Sequence, residues 1–98
     1  MIHKQPPAIR LATGQLDTYV GTYELAPGVD YVVKRDGERL IGQRTGRKEE
    51  ELFPEVEGVF SLKGYRGRKM FLRDSKGRVI ELRDRRDGND LVWKRVSR

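Results

Sequence analysis

The sequence predicts a small all-β domain: an eight-stranded antiparallel up-and-down barrel led by one short helical turn. Three observations predict it. Turn signals recur about every 8 to 12 residues, the rhythm of a β-sandwich or barrel. The segments between them alternate apolar and charged residues, the period-two pattern of a strand with one wet face. No helical stripe of any length runs through the chain.

The turns lie at Pro27-Gly28, Asp36-Gly37, Thr45-Gly46, Glu57-Gly58, Gly64 to Gly67, Ser75 to Gly77 and Asp87-Gly88. Each contains a residue that starts a turn or takes positive φ readily. They separate eight short segments. In the first, Val20 to Leu25, Tyr23 and Leu25 share a face. In the second, Tyr31 and Val33 do. Leu40, Leu52, Phe60, Phe71 and Leu82 then supply about one large inward residue per strand, with Lys, Arg, Glu and Asp at most alternate positions. Asp36-Gly37 between two such runs is a hairpin signal. In Arg78 to Arg83, Val79 and Ile80 are adjacent, and a bulge is expected to bring both to the core. Ahead of the first strand, Leu16, Tyr19 and Val20 fall at i, i+3 and i+4, which predicts one helical or 3₁₀ turn. Closure of eight short strands removes both sheet edges and leaves an interior barely wider than its side chains. Residues 1–15, with Pro6 and Pro7, read as a linker or flexible N-terminus, and residues 16–98 as the barrel.

At 98 residues the chain makes one domain with one modest core. It contains no cysteine, which excludes disulfides, thiolate metal sites and cysteine catalysis. No apolar run approaches the roughly 18 residues of a membrane span, and the first fifteen residues lack the apolar region of a signal peptide. The net charge of +6 is unevenly placed. Residues 49–57 hold five acids and no base, whereas residues 63–98 hold thirteen Lys or Arg against five acids. Such a balance suits an anionic surface or an acidic partner.

The sequence offers no catalytic site. Its single histidine, His3, lies in the linker. Ser61 and Ser97 lack a histidine partner, Ser75 sits in a turn, and no Ser-x-x-Lys motif occurs. Glu49, Glu50 and Glu51 alternate faces in a strand and read as solvated charge, without the loop spacing of a calcium site. No cofactor and no metal is expected. Tyr65, Arg66, Arg68, Lys69, Arg83, Arg85, Arg86 and Trp93 form the expected partner-binding set. Together they make one basic face carrying an aromatic, the chemistry that holds a phosphate backbone and stacks a base. For Trp93, packing in the core or at the barrel mouth is the plainer reading.

The run Leu16 to Leu25 (LDTYVGTYEL), followed by Pro27-Gly28, Asp36-Gly37, Leu40, Leu52-Phe53-Pro54, Phe60, Phe71 to Asp74 and Gly77 to Val79, resembles a known family. It is similar to the lipocalin-like C-terminal domain attached to many serine β-lactamase-related and penicillin-binding-protein-like hydrolases, over about residues 16 to 96. The resemblance implies a non-catalytic bacterial accessory domain, extracytoplasmic in location. Such a domain docks on, caps or helps assemble a hydrolase catalytic domain in cis or in trans, and it can self-associate. Gly21-Thr22-Tyr23 matches the opening of the wider lipocalin-like superfold, and Arg95 (or Lys94) matches its late basic residue. That implies structural roles for Gly21, Tyr23 and Arg95, with the guanidinium stacked on the ring and donating to carbonyls of the opening turn. The last hairpin, with Arg85, Arg86, Trp93 and Lys94, is more basic than is usual for such tails. Two alternatives stand beside this reading: a barrel binding single-stranded nucleic acid through Tyr65 and the basic face, and a carrier of a small apolar ligand.

Overall fold

The structure is a computed structural model that describes residues 9–64, 67–86 and 89–97, with Arg86 described by its backbone alone. The expected partner-binding residues Tyr65 and Arg66, the side chain of Arg86, His3 and the Asp87-Gly88 turn lie outside the described residues.

One helix, α1 (Thr13–Asp17), precedes eight strands: β1 (Gly21–Ala26), β2 (Val29–Asp36), β3 (Arg39–Arg44), β4 (Glu50–Val56), β5 (Val59–Ser61), β6 (Arg68–Arg73), β7 (Val79–Arg86) and β8 (Asn89–Ser97). They form a closed antiparallel barrel in sequence order. Closure comes from β1, which pairs with β2 on one side and β8 on the other, so that Tyr23 lies opposite both Tyr31 and Arg95. Turn chemistry explains the short connections. Gly37 at φ 65° and Gly77 at φ 83° occupy the left-handed region that a side chain resists.

The strands turn one face inward. Tyr23, Tyr31, Val33, Leu40, Leu52, Phe60, Phe71, Val79, Leu82 and Trp93 form one buried cluster with Leu11, Leu16, Leu62 and Tyr19. Burying each large side chain contributes about 1.5–3 kcal/mol, and these fourteen make up nearly all of the core. The rings of Phe60 and Phe71 meet edge to face at 5.5 Å, and Tyr23 meets Phe71 at 5.6 Å. These rings fill the space that a carrier of an apolar ligand would need.

Two boundaries differ from the sequence reading. Packed structure begins before residue 16. Leu11 is buried, Ile9 packs on the core, and α1 starts at Thr13. The Gln15 side chain accepts a hydrogen bond from the Ala12 N–H (2.9 Å), which ties down the start of the helix. In β7 the register does shift opposite Leu72 and Arg73. Val79 is buried, but Ile80 is 44% exposed. The bulge therefore ejects Ile80 instead of bringing both residues inside, because the added residue interrupts the alternation.

Candidate functional site: the open mouth of the barrel

The two ends of the barrel are built differently. At one end α1, the start of β1 and the end of β8 close the interior. Arg95 is paired with Tyr23 across β1 and β8, and its guanidinium lies 5.7 Å from the Tyr23 ring centroid. It donates to the carbonyls of Val79 (2.8 Å) and Val20 (2.5 Å). The Tyr23 hydroxyl donates to the Tyr19 carbonyl at 2.8 Å. The Tyr19 hydroxyl in turn donates to Glu57, which also accepts from Arg73 at 2.8 Å. Burial pushes both tyrosines up to about 12. The bonds from Tyr19 and then Arg73 hold Glu57 below the usual carboxylate range. Gly21, at the head of β1, is buried against this plug. Lys94 points outward and reaches Glu81 at 3.4 Å.

The other end is open, and its lining follows from strand alternation. Two residues beyond Val33 is Tyr31. Two beyond Leu40 is Gly42, then Arg44. Two before Leu52 is Glu50, two before Phe71 is Lys69, and two after Leu82 is Asp84. The inward face thus turns from apolar to charged as it approaches the mouth. Lys69 and Asp84, opposite each other on β6 and β7, form an ion pair of 2.9 Å in which each side chain is only 4% exposed. The Lys69 ammonium also lies 4.9 Å from the Tyr31 ring centroid. Removing two charges from water is costly, so such a pair is weak support for stability.

The Tyr31 ring lies across β3, where Gly42 leaves room for it. A Cβ at Gly42 would stand 2.1 Å from the Tyr31 hydroxyl oxygen. That passage lets the hydroxyl donate to Glu50 at 2.6 Å. Trp93 packs 5.8 Å from Tyr31, and the Arg44 guanidinium covers its ring at 5.3 Å. The indole Nε1 is buried without an acceptor. Together with Arg47, Lys48 and Glu49 these residues surround a cavity of about 230 Å³. A larger hollow of about 480 Å³ lies at the plugged end, but Arg73 and Arg95 in its wall are already bonded.

The expected partner-binding residues divide. Lys69 and Trp93 point inside the barrel, 3% and 1% exposed, and so do not belong to an outer face. Arg68, Arg83 and Arg85 do point outward on β6 and β7, each tied to a carboxylate. Arg68 donates to Glu55 at 2.9 Å, Arg83 to Glu81 at 2.6 Å and Arg85 to Asp90 at 3.0 Å. The structure therefore brings together a different set, Tyr31, Arg44, Glu50, Lys69, Asp84 and Trp93. Of these, only Lys69 and Trp93 were in the expected partner-binding set. Alternation counted from Phe71 and Leu82 would have put Lys69 and Asp84 inside.

Among the described residues, no group of three His, Asp or Glu side chains stands where it could hold a metal ion. Among them, too, no helix is long and apolar enough to cross a membrane. A family model described as a domain of unknown function (DUF3471) matches residues 5–95. No curated protein matches the chain.

Proposed function

The chain belongs to the DUF3471 family, and from that premise we propose that it is a non-catalytic accessory domain of a β-lactamase-related serine hydrolase. Its role is to dock on, cap or help assemble the catalytic domain. The family match is the observation that carries this reading, because DUF3471 domains occur in β-lactamase-related proteins. The chemistry within the barrel agrees with it. The buried hydroxyls of Tyr19 and Tyr23 are committed to hydrogen bonds, and burial pushes both from 10.0 up to about 12, still further from the neutral range. The Lys69 ammonium is paired with the Asp84 carboxylate at 2.9 Å. The carboxylates on Arg68, Arg83 and Arg85 occupy the cations that a nucleic acid would need, which favours the accessory role over that alternative.

The test is a reconstitution. The reading frame around this chain and its immediate neighbours is searched for a serine hydrolase domain, and that domain is produced separately. The expected result is co-elution of the two on size exclusion. The hydrolase alone should turn over a chromogenic cephalosporin or a p-nitrophenyl ester, and this chain alone should turn over neither. Turnover by this chain alone, or the absence of any such hydrolase from the reading frame and its neighbours, overturns the proposal.

A further inference from the structure

We propose that the open mouth of the barrel binds a small organic carboxylate, held by Arg44 and the indole N–H of Trp93. The charged side chains at the mouth differ in whether they already have a partner. All three acids are: Glu49 with Lys34 at 2.5 Å, Glu50 with the Tyr31 hydroxyl at 2.6 Å, and Asp84 with Lys69 at 2.9 Å. Of the four cations, only Lys69 is engaged with an acid. Among the described residues, the side chains of Arg44, Arg47 and Lys48 make no ion pair and no hydrogen bond. The mouth thus presents three cations without an acid against one carboxylate, Glu50, that is bonded only by a neutral hydroxyl.

A second observation points the same way. Trp93 is 1% exposed and lines the cavity, yet its Nε1 has no acceptor. A buried donor left unpaired is unfavourable, and a ligand oxygen is what it lacks. Arg44 lies 5.3 Å over the indole ring, and once it moves aside its fork and the unpaired ring N–H are donors that suit a planar carboxylate. The rings of Tyr31 and Trp93 pack on each other and form part of the cavity lining. Barrel mouths are common ligand sites, and about 230 Å³ limits the guest to a small one. Arg44 has no polar partner to surrender, so it is the side chain that shifts to admit the guest.

The chain has a single tryptophan, so the Trp93 indole gives one N–H resonance in a ¹⁵N-labelled sample. Benzoate, sodium phosphate and sodium chloride are titrated separately at matched ionic strength, because exposed charge attraction is screened by salt. Benzoate is expected to shift the indole resonance saturably, with a dissociation constant below about 10 mM. Arg44→Gln is expected to weaken that binding about tenfold or more, whereas Arg78→Gln at the plugged end leaves it unchanged. No saturable shift overturns the proposal, as does an equal response to phosphate or chloride. Undiminished binding by Arg44→Gln, or equal weakening by Arg78→Gln, also overturns it. If Arg44→Gln fails to fold, Arg44→Lys, which keeps the charge and loses the planar fork, takes its place, and undiminished benzoate binding there is equally fatal.

Discussion

The plugged end and the open mouth of the barrel are built from similar residue types and put them to opposite use. At each, an arginine lies over an aromatic ring: Arg95 over Tyr23, and Arg44 over Trp93. Arg95 gives its two terminal nitrogens to the carbonyls of Val79 and Val20, with its Nε buried and unpartnered, and the hydroxyl of its tyrosine is bonded to the protein. Arg44 spends none, and the N–H of its tryptophan has no acceptor. An arginine–aromatic pair is therefore not in itself a site or a brace. What differs is the guanidinium's terminal nitrogens, which the fold satisfies at the plug and leaves over at the mouth.

The comparison can be broken first at the plug. Tyr23→Ala removes a core ring and its hydrogen bond and is expected to destabilise by about 3–5 kcal/mol in a denaturant melt. A loss below about 1 kcal/mol would show that the plug does not brace the barrel.

At the mouth, Asp84→Leu strips the buried Lys69 ammonium of its carboxylate and is expected to cost about 3 kcal/mol or more. The double change Asp84→Leu with Lys69→Met is expected to recover most of that stability, since a buried ion pair adds little over apolar residues of similar volume. A double variant as unstable as the single would mean that the mouth, like the plug, is a stabilising device.

The smallest effect is a dependence on pH. Burial raises Tyr23 from its ordinary 10.0 to about 12, and Tyr19 likewise. The fold therefore favours the protonated hydroxyls. The stability they contribute is fully present below about pH 10 and is lost as pH climbs from about 10 through about 12. The urea midpoint is expected to hold steady up to about pH 10 and then fall, less steeply in Tyr23→Phe. Equal slopes in the two proteins would remove Tyr23 from that account.

Much of the architecture was legible because turns are written in residue types. Gly28, Gly37, Gly46, Gly58, Gly64 and Gly77 fall at six of the seven places where one strand gives way to the next. The mouth was harder to see. Lys69 and Asp84 are of residue types that are mostly exposed, and only their parity with Phe71 and Leu82 places them inside. The pairing of Arg68 with Glu55 joins β6 to β4, and no local pattern announces a partner thirteen residues away. The outward turn of Ile80 was hidden for a different reason: a bulge changes parity without leaving a unique mark in the sequence.

Closing the sheet through β1 and β8 also fixes how the domain can be wired to anything else. Thr22 lies opposite Ser97, with α1 just ahead on the same side. Polypeptide arriving at the first strand and polypeptide leaving the last are side by side, at the plugged end. The barrel can hang like a lantern from a paired stalk, or sit as a cassette inside another chain without stretching it. In either arrangement the mouth, with its unspent cations, is the pole turned away from the attachment.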